Sequence, residues 1–294
     1  MNTVIENTFL NFNDHDELVG YDRCQRTPMS FYDECLRAAE NIVADAEGRK
    51  IAVMLSGGAD SEIVLRSLLA VGADVECWTY VFVEGQEPTE LKMAEDLASA
   101  HNLKHCLYPI DIAAFEPEAR AISTSANVPF FEATPQMKLF QHLSVSLQLY
   151  PVTGNAQVSL YKTMPDKTWH YCDSDYVIGT YRYTKNMIGV QSFFQLTPEI
   201  VLAQLLTKRY ADIGSGKNKL ANTVLLSTER FVKQQMYADE WPGFKIRTKL
   251  DGGEKIRPFS LKFLSGFAGD RTVLDKKHLV SYSEMVRLLQ PSAA

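Results

Sequence analysis

Six residues carry the plainest chemistry in this chain: Ser56-Gly57-Gly58-Ala59-Asp60-Ser61. Two adjacent glycines let a backbone bend sharply and approach a ligand with no Cβ in the way. Ser56 and Ser61 add hydroxyl donors. A helix beginning at this turn would leave its first amides unpaired and present the positive end of its dipole. Together these features make an anion cradle, best suited to phosphate. Asp60 would repel such an anion, and it makes sense if a Mg²⁺ lies between the two.

The flanks supply the elements that must hold this turn. Ile51, Ala52, Val53, Met54 and Leu55 are consecutive apolar residues. Such a run suits a strand covered on both faces, as in a parallel sheet. Beyond the turn, Ile63, Val64, Leu65, Leu68, Leu69 and Val71 recur at helical spacing, and Gly72 follows as a stop signal. A strand therefore runs into the turn, and a helix leaves it.

In this setting the hexapeptide resembles the SGGxDS signature of the PP-loop superfamily, the ATP pyrophosphatases. Members of that superfamily cleave ATP between the α- and β-phosphates. Ser56, Gly57, Gly58, Asp60 and Ser61 match every fixed position. The turn is not a Walker A loop, because no lysine follows the second glycine. The plain alternative is a glycine-containing strand–helix turn with no ligand.

Further along, Val75–Val83 is β-branched and aromatic and reads as a second strand. Pro88 suits a helix entry, and His105–Ile110 reads as a third strand. A helical region broken near Pro117 follows. Thr134-Pro135 then signals a helix through Leu149, and Tyr150–Asn155 is a short strand ending in a small-residue turn. Alternating strands and helices predict an α/β fold: a doubly wound parallel sheet, Rossmann-like, with helices on both faces. Ligands of such sheets bind at the carboxyl ends of the strands, where the strand order reverses. The Ser56–Ser61 and Gly154 turns both lie at such ends.

Ser30 with Asp33 opens a helix ahead of the first strand. Residues 1–28 are polar and mixed, an N-terminal arm whose role the sequence leaves open. Residues 29–160 are expected to form the nucleotide-binding core. Residues 161–294 are expected to form a mainly helical C-terminal subdomain completing the substrate site. Helices are predicted from Thr197-Pro198-Glu199 through Tyr210, over Asn218–Tyr237, and after the Ser281/Glu284 capping box. The aromatic stretch Trp169–Tyr183 reads as core, with a strand near Tyr176–Thr184.

Composition narrows the class. Apolar content of 46% and charged content of 22% fit a globular chain. A net charge of −6 argues against a broad nucleic-acid-binding surface. Cys24, Cys35, Cys77, Cys106 and Cys172 form no CxxC pair, so reduced thiols are expected. No stretch reaches the roughly 18 apolar residues of a membrane span, and the N-terminus lacks the form of a signal peptide. The expectation is a cytoplasmic protein with no membrane partner. Monomer and homodimer both stay open. Gly214-Ser215-Gly216-Lys217 lacks the earlier glycine and the following Ser/Thr of a phosphate loop, so it reads as a helix–helix turn. His101 and His105 straddle a helix end and a strand, so they make no metal pair.

The resemblance implies a set of site residues. Ser56, Gly57, Gly58 and Ser61 would hold the pyrophosphate end of ATP, and Asp60 would bind Mg²⁺. Backbone around Leu55 and near Tyr80 and Val81 would hold adenine. Gly154 would sit against the α-phosphate or ribose. Within the superfamily, LSGGADS with a preceding amphipathic helix looks most like the synthetase domain of asparagine synthetases and β-lactam synthetases. The segment Lys245–Gly253 resembles the late lysine-and-glycine segment there. By that likeness Lys249 reaches the reacting phosphate, with Arg247 or Lys245 as alternates; a solvated basic loop is the equal alternative.

Two departures stand out. Asparagine synthetases carry an N-terminal glutaminase domain opening with a cysteine after the initiator methionine. Here position 2 is Asn2, and about 50 residues precede the first strand. The expectation is therefore a small carboxylate or amide-oxygen substrate, with ammonia, an amine or a separate amidotransferase partner as nitrogen source. In addition, Thr153-Gly154-Asn155-Ala156-Gln157 has no acidic residue for a second metal contact, leaving Asp173 or Asp175 as substitutes, or a site that binds one metal weakly. The leading expectation is an ATP-dependent, adenylate-forming ligase. A base-modifying PP-loop enzyme and a nucleotide-binding subunit without turnover are the alternatives. Asp60→Ala is expected to abolish Mg²⁺-dependent turnover and leave the fold intact.

Overall fold

The structure is a computed structural model; it describes residues 9–12, 18–83, 88–128, 131–155, 158, 160–162, 168–173, 175–217, 227–246 and 278–292. A hairpin of β1 (Leu10–Phe12) and β2 (Leu18–Tyr21) comes first. Then α1 (Phe31–Asp45) leads to β3 (Ile51–Met54). The chain continues through α2 (Ala59–Ala70), β4 (Val75–Phe82), α3 (Pro88–Ala100), β5 (His105–Ile110), α4 (Ile112–Ala126), α5 (Thr134–Gln141) and β6 (Tyr150–Val152).

Strands β3 to β6 form one parallel sheet in the order β5-β4-β3-β6. The chain steps outward from β3 to β5, then crosses back to place β6 on the other side of β3. The order reverses between β3 and β6, which is where an open α/β sheet leaves a crevice. Alternation along β3 explains its unbroken apolar run. Ile51, Val53 and Leu55 join the cluster that contains Cys35, Ile42, Val64, Leu68 and Ala94 of α1, α2 and α3. Ala52 and Met54 pack on Leu139, Phe140 and Leu143 on the opposite face. Both faces are covered, so neither set of side chains can be polar.

Beyond the sheet come β7 (Leu160–Lys162), β8 (Trp169–Asp173), α6 (Asp175–Thr184), α7 (Pro198–Leu206), α8 (Lys208–Gly214), α9 (Ser227–Glu240), β9 (His278–Ser281) and α10 (Tyr282–Leu289). The described residues of this half are mostly helical, with β7-β8-β9 as a small antiparallel sheet. Several starts follow the capping signals. Ser30, Thr197 and Ser281 each accept from the amide three residues on, at 3.1, 3.4 and 3.3 Å.

Four local expectations are corrected. Residues near Tyr176–Thr184 form α6, not a strand. Val177, Thr180 and Thr184 are buried at helical spacing, and Gly179 lets the helix approach the end of α4, where a Cβ would meet Ala126 O at 3.1 Å. Helix α4 runs unbroken through Pro117. Its Asp111 cap accepts from Ala114 N at 2.8 Å, and burial of Ile112, Phe115, Ala119 and Ile122 outweighs the roughly 3 kcal/mol proline cost. Thr134 is no cap: its hydroxyl donates back to Phe131 O at 2.8 Å. The helix it opens widens into a π turn at His142–Ser146 and stops short of Leu149. Thr207 turns the chain between α7 and α8, so Tyr210 is buried from α8.

The first described residues are tied into the core. Phe9 is fully buried, stacked on Tyr21 at 5.1 Å and edge-on to Tyr171 at 6.2 Å. Glu34 is buried and accepts both Arg26 guanidinium amines at 2.6 Å and the Met29 amide at 2.7 Å. Glu34→Ala is expected to cost about 2–3 kcal/mol, the loss of charge-assisted hydrogen bonds. The partial exposure of Arg26 keeps the effect below that of a fully buried pair. Urea unfolding followed by circular dichroism measures it.

Candidate functional site

The turn after β3 is braced from within. Leu55 N donates to Trp78 O at 2.8 Å, the last rung between β3 and β4. Gly57 then reverses the backbone at φ +72°, and Gly58 enters α2 in extended conformation with no side chain to cap it. The Ser61 hydroxyl takes part in three contacts. It donates to Gly58 O at 3.0 Å, accepts from Ser56 N at 3.2 Å and lies 3.3 Å from Ser56 Oγ. Gly58 N donates to Ser56 Oγ at 3.3 Å. Two hydroxyls thus hold the loop shape, and a helix start without a capping side chain offers its first amides to an external acceptor.

Two neighbours press on this loop and explain its glycines. A Cβ on Gly57 would lie 2.4 Å from Glu90 O, in the first turn of α3. A Cβ on Gly154 would lie 3.0 Å from both Asp60 C and Ser61 N. The turn after β6 therefore rests on the first turn of α2. The two strand ends expected to face one crevice come into direct contact there.

Asp60 meets partners the sequence did not single out. Lys233 Nζ donates to Asp60 Oδ2 at 2.7 Å, and Tyr237 OH donates to Oδ1 at 2.7 Å. Both come from α9, one helical turn apart. Tyr237 is fully buried. Burial, then the Asp60 charge and hydrogen bond, push its phenol well above the ordinary range, so it stays a donor. An aromatic cluster fixes the helix in place. Tyr237 packs against Phe31 at 6.3 Å, Phe194 at 6.2 Å, Trp241 at 6.1 Å and Phe244 at 5.7 Å. Arg66 adds a tie, joining Glu62 at 2.8 Å and Gly243 O at 3.3 Å. One signal was legible beforehand: Lys233 lies in the apolar stripe of Val232, Met236 and Tyr237, where a charge needs a partner.

Leu55, Tyr80 and Val81, expected to border adenine, lie along the ends of β3 and β4. The Leu55 carbonyl accepts the Thr79 hydroxyl at 2.5 Å, and the Thr79 oxygen lies 2.8 Å from His105 Nε2. The single threonine proton goes to Leu55, so His105 donates through Nε2–H. Burial lowers the His105 pKa, which favours its neutral form. Tyr80 packs edge-on to Phe82 at 5.7 Å. Burial, then Glu90 and Glu132, push its phenol up to about 12. Val81 pairs with Pro109 in the sheet.

Of the late basic residues, Lys245 is exposed just after the Trp241–Phe244 turn. Arg247 and Lys249 lie outside the described residues, as do the side chains of Asp173 and Asp175. Among the described residues no group of three or more His, Cys, Asp or Glu could hold a metal. Within Ser56–Ser61 the carboxylate is Asp60, at the first turn of α2. That suits Mg²⁺ arriving with phosphate oxygens, since this ion is commonly held by one or two carboxylates plus substrate phosphates. Gly214 ends α8 and Gly216 has φ +72°, a helix-terminating turn. Cys24, Cys35, Cys77 and Cys106 are free thiols, and burial pushes Cys24 and Cys77 up to about 12. No helix among the described residues is long and apolar enough to cross a membrane.

Residues 36–148 match the family model for asparagine synthase. No curated protein matches the chain. Among solved structures, similarity is found to a predicted subunit of a tRNA methyltransferase from Methanocaldococcus jannaschii, at 18% identity over 48% of this chain and 66% of that one, with a TM-score of 0.31. The glutamine-dependent NAD⁺ synthetase of Acinetobacter baumannii gives 16% identity, 48% and 28% coverage, and a TM-score of 0.33. The NH₃-dependent NAD synthetase of Campylobacter jejuni gives 16% identity, 76% and 100% coverage, and a TM-score of 0.35. This chain thus spans less than two thirds of the first two. Scores this low add nothing to what the sheet order and the loop show directly.

Proposed function

We propose, from the premise that residues 36–148 are an asparagine-synthase-type domain of the PP-loop superfamily of ATP pyrophosphatases, that this chain is an ATP-dependent adenylate-forming synthetase. It activates a substrate oxygen, releases AMP and pyrophosphate, and forms an amide or related C–N bond. The observation that carries the reading is the SGGADS loop itself, braced by Ser56 and Ser61 at the carboxyl end of β3, beside the reversal of strand order.

In this reading the first-turn amides of α2, the Gly57-Gly58 backbone and the two hydroxyls bind the pyrophosphate end of ATP. Leu55, Tyr80 and Val81 border the adenine, and Gly154 closes the floor of the crevice. Asp60 would hold Mg²⁺, which would supply charge neutralisation at the triphosphate as the substrate oxygen approaches. A carboxylate or amide oxygen attacks the α-phosphorus as the α–β bond breaks and pyrophosphate leaves. A nitrogen nucleophile then displaces AMP. The work of the protein is to position and to neutralise charge. Residues 29–160 form the nucleotide core, and residues 161–294 complete the substrate site. Lys249, Arg247 or Lys245 brings a further cation to the reacting phosphate. The nitrogen comes from ammonia, an amine or a separate amidotransferase.

The test is incubation with ATP labelled at the α-phosphate, Mg²⁺, ammonia and pooled amino acids. AMP and pyrophosphate are expected; ADP formation overturns the reading. A second reading, a nucleotide-binding subunit without turnover, is favoured by one observation: both Asp60 oxygens are engaged by α9. ATP binding with no product of any kind would select it.

A further inference from the structure

We propose that His105 and Thr79 are positioning residues for the phosphate cradle, heading a one-way chain of hydrogen bonds that sets the Ser56–Ser61 turn from two neighbouring strands. The role rests on the nucleotide reading of the loop.

The chain begins on β5, which β4 separates from β3. His105 Nε2–H donates to Thr79 Oγ1 at 2.8 Å, and the Thr79 hydroxyl donates to Leu55 O at 2.5 Å. The peptide that carries this carbonyl carries Ser56 N–H on its other side. Ser56 N–H donates to Ser61 Oγ at 3.2 Å, and the Ser61 hydroxyl donates to Gly58 O at 3.0 Å. Every donor points the same way, so each bond polarises the next. A trans peptide is planar, so a hold on Leu55 O also fixes the direction of Ser56 N–H. Thr79 is 4% exposed and Leu55 1%, so water does not compete for these groups.

The threonine takes the place of a rung of the sheet. Leu55 N donates to Trp78 O at 2.8 Å. One more step of a parallel ladder would have Tyr80 N–H donate to Leu55 O. The paired register instead stops at Met54 and Trp78, while β4 stays paired with β5 as far as Phe82 and Ile110. Loss of the Thr79 hydroxyl frees the Leu55 carbonyl to close that rung. The peptide then swings back toward the sheet, draws Ser56 N–H away from Ser61, and loosens the bond to Gly58 at the entry to α2. His105 acts one link earlier. By donating to the threonine oxygen it leaves the single hydroxyl proton for Leu55.

Calorimetric titration of the full chain with inorganic pyrophosphate and with ATP, each in Mg²⁺, tests this. Thr79→Val, which keeps the shape and removes the donor, is expected to weaken binding of both about tenfold, the scale of one net hydrogen bond. Thr79→Ser is expected to bind as wild type. His105→Phe, which removes the outer link alone, is expected to weaken binding about threefold, and His105→Gln, which keeps a donor, to restore it. Ser61→Ala breaks the same chain downstream, so Thr79→Val should cost little more in that background. If Thr79→Val melts early, the two His105 variants carry the test from a residue outside the loop. Lower melting temperatures with unchanged affinities, or fully additive losses for Thr79→Val and Ser61→Ala, overturn the positioning role and leave the nucleotide reading standing. Failure of wild type to bind either probe overturns both.

Discussion

Asp60→Asn is expected to lower Mg²⁺-dependent AMP formation by about 10³-fold, the scale of losing one preorganised contact to developing charge. The substitution removes the anion and keeps the shape. An amide oxygen can still accept from Tyr237, but the amide NH₂ then faces the Lys233 ammonium in place of a carboxylate oxygen, so this variant too loses the ion pair while keeping the Tyr237 hydrogen bond. Asp60→Ala, in contrast, removes both hydrogen-bond partners. It leaves the Tyr237 hydroxyl buried without the Asp60 acceptor and removes the Asp60–Lys233 ion pair. Unsatisfied buried groups cost about 1–3 kcal/mol each. The alanine variant should therefore lose stability as well as turnover, whereas the sequence alone implied an intact fold. Thermal melts of both variants beside initial rates of AMP release separate the two effects. Full activity in Asp60→Asn would remove the carboxylate from the reaction.

Gly57→Ala should be the most damaging single methyl in the loop. Left-handed backbone at φ +72° is strained for any residue with a Cβ. That Cβ would also stand 2.4 Å from Glu90 O and 3.1 Å from Met93 Cβ. The first of these is main chain, so relief requires α3 to move as a unit or the turn to rebuild. A loss of about 2–4 kcal/mol is expected. Urea unfolding measures it, and nucleotide binding to the folded fraction should weaken in parallel. Gly154→Ala gives a milder comparison, because its contacts at 3.0 Å need a smaller shift. If Gly57→Ala unfolds at the wild-type midpoint, the close packing of α3 on the loop is not a determinant of its shape.

Local and periodic features of this protein are legible in its residues alone. The five apolar residues at 51–55, the glycine pair and the helical spacing beyond it identify a strand, a turn and a helix. Each depends on neighbours only a few residues apart. The alternation from Ile51 to Val152 likewise determined a parallel sheet, since such connections admit one hand and few orders. Where burial competes with propensity, local reading stopped short. Pro117 sits inside a helix because its apolar face is covered. Tyr176–Thr184 is helical because α4 receives it. The largest gap concerns Asp60. Its partners Lys233 and Tyr237 lie more than 170 residues away, and no spacing rule joins them to the loop. Only docking of α9, driven by aromatic contacts with α1 and the segment at Phe194, brings an ammonium to that carboxylate. A charge in an apolar stripe must find a counter-charge, but which one is settled by packing.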